Sequence, residues 1–186
     1  SATDGLIVDL GCGTGLVAVE FLRNGLVVIG VDASSRMLRR ALRRSRISTA
    51  VLSGADHTRI NSGVAATVLL SNVLHLHPDP AAILAEAVRI AGPGAHIVIA
   101  TPTESASNDL LARTDLALGR SWQRTLLADQ LRRLVALMAW ILRLRRTEQP
   151  NLDRAIDDAV RANSLVRLSV RTMFECQRVT VLLTPM

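Results

Sequence analysis

Apolar residues along this chain follow two recurring patterns. Leu6–Leu10 (LIVDL) and Leu26–Val31 (LVVIGV) are short, nearly uninterrupted apolar runs, the pattern of strands buried on both faces of a parallel sheet. Between them, Thr14–Arg23 spaces its apolar residues at helical intervals and meets a stop at Asn24-Gly25. This predicts a βαβ unit within the first 31 residues.

The alternation continues. Ser34 or Ser35 can cap a helix running through Arg46, Thr49–Leu52 reads as a weak strand, and Val64–Ser71 (VAATVLLS) as a strong one. Asp79 followed by Pro80 predicts a helix start, because the carboxylate can accept free amides and proline at the first position gives up an amide without a partner. That helix should run to about Ala91 and stop at Gly92-Pro93-Gly94, with Ala95–Ala100 as a fifth strand. Strands alternating with helices predict an α/β three-layer sandwich with right-handed crossovers.

From Thr103 to Gln149 the pattern is helical only, with segments at Asn108–Leu118 and Leu126–Arg146, the second apolar around most of its girth. Pro150-Asn151 restarts the chain into a helix at Leu152–Ala162, whose Leu152, Ile156, Ala159 and Val160 share one face. Leu168–Glu175 and Val179–Leu183 are spaced to close the chain as an antiparallel hairpin.

Composition adds bounds. A chain of 186 residues, 49% hydrophobic, predicts one ordered domain spanning residues 1–186. All 22 basic residues are arginine, which reads first as a bias of GC-rich coding. The net charge of +6 raises nucleic acid as a partner, but lysine is absent and only four aromatic residues exist to stack bases, which weighs against it. The longest apolar stretch, Leu134–Leu142, falls far short of the roughly 20 residues needed to span a bilayer. Two cysteines in unlike contexts, Cys12 and Cys176, make neither a disulfide framework nor a metal cluster, so a cytoplasmic location is expected. No secretory signal opens the chain.

The chemistry concentrates in "VDLGCGTG", Val8–Gly15, between the first strand and the first helix. A glycine-rich turn there lets a ligand lie against bare backbone, with the helix amides pointing at it. Without lysine the chain cannot form the phosphate-binding loop G-x-x-x-x-G-K-[ST]. Gly11, Gly13 and Gly15 stand as G-x-G-x-G, which is out of register with the dinucleotide fingerprint G-x-G-x-x-G.

The motif D-x-G-x-G-x-G from Asp9 to Gly15, with Asp32 ending the next strand in "VIGVDAS", resembles motif I of the class I S-adenosylmethionine-dependent methyltransferases. The resemblance covers Gly5–Thr101 motif by motif and the last helix and hairpin in outline. It implies a Rossmann-like sheet of seven mainly parallel strands, order 3-2-1-4-5-7-6, with residues 104–149 as a helical cap inserted after the fifth strand. It also implies a cofactor site for S-adenosylmethionine and its product S-adenosylhomocysteine.

Within that site Asp9, Gly11, Cys12, Gly13, Thr14 and Gly15 form the loop, with Asp9 holding it and, through water or amides, serving the cofactor ammonium. Asp32 can accept both ribose hydroxyls, flanked by Ala33, Ser34 and Met37. "SGADH" brings Ala55, Asp56 and His57 to the adenine, Asp56 reaching its exocyclic amine, although Asp56 also reads as a helix cap. "SNVLHLHPD" resembles motif IV and its following run, so Ser71 and Asn72 would line the methionine end.

Methyl transfer mainly demands a positioned acceptor and excluded water, with a general base where the acceptor must lose a proton. His75 and His77, at the carboxyl end of the fourth strand, are the candidate bases; His57 is a weaker one, and His96 reads as structural. No third ligand beyond Asp79 joins His75 and His77, so no metal is expected. The apolar helix at 126–146 reads as core over the site, as a homodimer or partner interface, or as a membrane-surface helix. As a lid over a lipophilic small-molecule acceptor it would offer Trp122, Met138 and Trp140 to the pocket.

Six arginines of the second helix (Arg36, Arg39, Arg40, Arg43, Arg44, Arg46) form a solvated outer face or, alternatively, an RNA-binding stripe, with Met37, Leu38, Ala41 and Leu42 facing inward. The expected activity is methyl transfer to a small, fairly apolar acceptor in bacterial specialised metabolism. RNA or protein methylation, and a non-catalytic partner domain, are the alternatives. Against nucleobase amino methylation, Ser71-Asn72-Val73-Leu74 lacks the N/D-P-P-[YF] sequence that commonly grips such an amine. Family members usually carry one or two helices before the first strand, where only Ser1–Asp4 stand here, so a longer parent chain, an open site and a closing partner are all compatible readings.

Overall fold

The computed structural model describes residues 5–45, 47, 49–102, 152–173 and 177–186. Among them, strands β1 (Leu6–Leu10), β2 (Val27–Asp32), β3 (Thr49–Leu52), β4 (Ala65–Ser71), β5 (Ala91–Pro102), β6 (Val166–Met173) and β7 (Gln177–Leu183) form one sheet in the order β3-β2-β1-β4-β5-β7-β6. The first five pair in parallel, and β7 runs antiparallel between β5 and β6. Helices α1 (Ala18–Arg23), α2 (Ser35–Ser45), α3 (Pro80–Ile90) and α4 (Leu152–Ala162) cover the sheet. This is the Rossmann-like architecture and strand order that the motif resemblance implies. The cap expected over 104–149, with Trp122, Met138 and Trp140, falls outside the described residues.

The near-continuous apolar runs follow from burial on both faces. Val8, Leu10, Val68, Leu70, Ile97, Ile99 and Leu182 enter one core, closed by Ile83, Ala87 and Ile90 of α3 and by Ile156 of α4. Ile7, Val28 and Leu69 enter a second core, beneath Ala18 of α1 and Ala41 of α2. The apolar face read for α4 packs as expected, with Leu152, Ala159 and Val160 against the first core. In α2, Leu38 and Ala41 are buried, while Leu42, expected inward, is exposed among Arg36, Arg39, Arg40 and Arg43.

Four element starts differ from expectation by two residues or more. Helix α1 begins at Ala18 rather than Thr14, because Gly15 sits at φ +73°, outside helical space. Strand β5 begins at Ala91, immediately after α3, so Gly92-Pro93-Gly94 lies within the strand rather than in a loop. Ala91 pairs with Ala65, and a register shift before Thr67↔His96 takes up the proline and the φ +69° of Gly94. Strands β6 and β7 each begin two residues earlier than read.

Helix α3 starts as its sequence predicts. The Asp79 carboxylate accepts the Ala82 amide at 3.1 Å, and Pro80 occupies the first turn. No helix among the described residues is long and apolar enough to cross a membrane. A cavity of about 430 Å³ lies between Gly5, Phe21, Leu26, Thr67, Pro93 and His96, at the amino ends of the strands and away from the glycine loop.

Candidate cofactor site

The carboxyl ends of β1, β2, β4 and β5 lie on one edge of the sheet, where open α/β sheets place their ligands. There Gly11, Gly13 and Gly15 take φ of +74°, +56° and +73°. The loop is pinned to β2, since the Gly11 and Cys12 amides both donate to the Val31 carbonyl, at 2.8 and 2.9 Å. A Cβ on Gly11 would come within 2.6 Å of Val73 Cγ2, whereas one on Gly13 would meet nothing within 4 Å. Gly11 is therefore fixed by packing as well as by backbone angle, while Gly13 leaves open space over bare backbone.

Asp32, at the end of β2, closes this loop from the other side. Its Oδ2 accepts the Gly13 amide at 2.9 Å and its Oδ1 accepts the Ser34 amide at 2.7 Å. Each carboxylate oxygen keeps a second lone pair for a hydroxyl. Ser34 also caps α2, its Oγ accepting the Met37 amide at 3.4 Å; Met37 and Thr14 are half-buried and Ala33 is exposed.

Asp9 is 1% exposed, and its Oδ1 is buried without a hydrogen-bond partner. Burial, reinforced by the charge of Asp32, raises its pKa from 3.8 to about 7. Cys12 contributes backbone rather than thiol chemistry: its side chain turns into the fold, within 2.8 Å of where a Cβ on Gly30 would stand. Burial first, then the charges of Asp9 and Asp32, push the thiol up to about 12, so it stays protonated and inert.

The segment after β3 approaches the same edge. The Ser53 amide donates to the Asp32 carbonyl at 3.2 Å, and the Ser53 hydroxyl donates to the His57 carbonyl at 2.7 Å. A Cβ at Gly54 would run into the Asp56 carboxylate, so the glycine lets Asp56 fold back across the turn. Ala55 packs against the main core, and His57 is exposed.

Beyond β4, where half-buried Ser71 pairs with Ala100, Asn72 takes φ +55°. Its amide donates to the Ala100 carbonyl at 2.9 Å, and its Oδ1 accepts from Gln177 Nε2 at 3.3 Å. A non-glycine residue in left-handed space at a strand end is the kind of strain that gathers at functional sites.

His75 lies in a short 3-10 turn (Leu74–Leu76), 2% exposed, its Nδ1 without a partner. Desolvation lowers its pKa, so the ring is neutral at pH 7. His77 points its Nε2 toward Asp56 Oδ2 at 3.8 Å. Its Nδ1 meets the Asp79 backbone, accepting the amide at 3.1 Å or donating to the carbonyl at 2.8 Å according to tautomer. The two rings thus diverge: one is buried, the other engaged with the Asp56 loop.

A polar network centred on buried Glu86, which the sequence reading missed, lies behind that loop. Glu86, 6% exposed on α3, accepts both the Thr58 amide and the Thr58 hydroxyl at 2.6 Å. Arg89 grips the same carboxylate through Nε at 2.8 Å and Nη2 at 2.7 Å, and reaches the Ile60 carbonyl at 2.7 Å and Ser62 Oγ at 2.9 Å. The Arg89 hydrogen bonds hold the Glu86 carboxyl down at about 2. A signal existed: position 86 lies on the face carrying Ile83, Ala87 and Ile90, where a charge needs a partner. Gln177 was likewise unmarked by any motif, and Val73 lies in the motif IV run without having been singled out.

These residues fit a cationic nucleoside. The orphaned Asp9 carboxylate offers an anion to an ammonium, Gly13 leaves clearance, and Asp32 offers acceptors to a diol. No group of three or more metal-ligating side chains occurs among the described residues.

Residues 8–99 match the family described as Methyltransferase domain. The ubiquinone biosynthesis O-methyltransferase of Thiobacillus denitrificans is 28% identical over 111 residues, 57% of this chain and 48% of that protein. The chain thus spans about half the length of the curated relatives it matches. Among solved structures, a SAM-dependent methyltransferase from Methanosarcina mazei superposes with a TM-score of 0.67 at 15% identity, covering 99% of this chain and 94% of that one. Magnesium protoporphyrin IX methyltransferase from Synechocystis PCC 6803, with bound SAH, gives 0.65 at 15% identity over 99% and 76%. With the family match, the strand order and the glycine loop in agreement, the chain belongs to the class I S-adenosylmethionine-dependent methyltransferases.

Proposed function

We propose that this chain methylates a hydroxyl of a small, lipophilic acceptor, in the cytoplasm and in a biosynthetic route. The observation that carries the cofactor half is Asp32, whose two oxygens face the Gly13 and Ser34 amides at the edge of the open glycine loop. S-adenosylmethionine supplies a methyl group on a sulfonium centre, open to in-line displacement. Around it, Asp32 holds the ribose hydroxyls and Asp9 the ammonium. Asp56, with Ala55 and His57, meets the adenine; Ser71 and Asn72 flank the methionine end, Asn72 fixed by Ala100 and Gln177.

Support for an apolar acceptor comes from Leu16, 64% exposed beside Gly15, from exposed Val17 next to it, and from exposed Leu76 in the turn after β4. Support for a hydroxyl comes from relatives whose names specify O-methyl transfer. We assign His77 to holding the Asp56 loop and His75 to packing under the β4 turn, so proton removal falls to solvent or to an acceptor already ionised.

Incubation with methyl-labelled S-adenosylmethionine and a panel of phenolic acceptors tests this. Label transfer to a phenol, with His77→Ala retaining kcat within about threefold, is expected. Transfer only to RNA or protein would overturn the acceptor class.

A further inference from the structure

Glu86 and Arg89 take no part in the cofactor contacts assigned above, yet buried Glu86 and half-buried Arg89 share a polar network with each other and with hydrogen-bonding groups of one loop. A buried carboxylate held by this many donors gives a directional restraint, since each hydrogen bond fixes a partner's position as well as its distance. The partners are Thr58, Ile60 and Ser62, all in the segment between β3 and β4. The other end of that segment is tied at Ser53 to the Asp32 carbonyl. Asp56 sits between the two anchors, with no regular element of its own to hold it.

We propose that the Glu86–Arg89 pair is a positioning unit that sets Asp56 against the cofactor's adenine amine, so that it governs nucleobase discrimination. The inference rests on the assignment of Asp56 to the adenine. Fixed at Ser53 and Thr58, the loop has little freedom to swing. His77 bears on Asp56 from the β4 side at 3.8 Å, leaving the amine direction to be set from α3. A carboxylate aimed at an N–H pair accepts from adenine and repels the oxygen of a 6-oxo base, so misplacing it erodes that preference first.

The test compares affinities for S-adenosylhomocysteine and its deaminated analogue S-inosylhomocysteine, each variant assayed well below its own melting temperature. The unaltered protein should prefer the adenine compound, and Asp56→Asn should abolish the preference. Glu86→Gln and Arg89→Lys should each lower it by about tenfold, almost entirely through weaker adenine binding, with inosine binding unchanged. Should Glu86→Gln fail to fold, Thr58→Val replaces it, with Thr58→Ser as the variant that restores the preference.

A merely structural network would weaken both ligands by one factor or neither; an unchanged ratio in folded Glu86, Arg89 or Thr58 variants, beside a collapsed ratio in Asp56→Asn, overturns the proposal alone. An unchanged ratio in Asp56→Asn overturns the adenine assignment and the proposal with it.

Discussion

At the scale of single residues, Asp9 concentrates the conflict between folding and binding. Its carboxyl is raised from 3.8 to about 7, so the folded state favours the protonated form. A raised acid contributes full stability below its unfolded value and loses it as pH climbs through the folded one. The free protein should therefore lose up to about 4 kcal/mol from this group between pH 4 and 7, by the 1.36 kcal/mol equivalent of each pKa unit. Asp9→Asn, which cannot ionise, should match the unaltered protein near pH 4 and exceed it at pH 7.5 in urea unfolding, while binding S-adenosylmethionine at least tenfold more weakly. Parallel stability curves for the two proteins across that range would argue against it.

The glycines divide in the same way. Gly11→Ala should cost about 2–4 kcal/mol, combining left-handed strain with the Val73 collision, and Val73→Ala should recover part of it. Gly13→Ala should cost only about 1 kcal/mol of stability, yet weaken cofactor binding by an order of magnitude or more. Thermal melts with and without ligand separate the two outcomes.

At the scale of elements, the Asp79 cap should carry about 1 kcal/mol, so Asp79→Ala should melt a few degrees lower with ligand affinity nearly unchanged. A larger affinity loss would mean that His77, which leans on the Asp79 backbone, matters more than α3. This cap was legible because Asp-Pro states its own mechanism. The start of α1 was not, because apolar spacing from Thr14 says nothing about the sign of φ at Gly15. Nor was β5, where Gly92-Pro93-Gly94 has the composition of a turn but is drawn into the strand by pairing to Ala65 and by a bulge. Glu86 was legible only in part: helical spacing puts it on the buried face of α3, but its partner Thr58 lies 28 positions away, a range at which periodicity names no partner.

At the scale of the whole molecule, alternating strands and helices predicted the layers, while the motif resemblance supplied the strand order, including the antiparallel β7 between β5 and β6. Asp9, Gly11, Gly13 and Asp32 converge because parallel strands bring their carboxyl ends to one edge, so residues 19 apart, Gly13 and Asp32, share a hydrogen bond. The proposed acceptor side is less legible, since the exposed apolar Leu16 follows no motif. Calorimetric titration of the chain with S-adenosylhomocysteine, repeated on Asp32→Ala, tests the central claim most directly. One-to-one binding, weakened at least tenfold by the substitution, is expected; no heat from the unaltered protein, or equal affinity in Asp32→Ala, would contradict it.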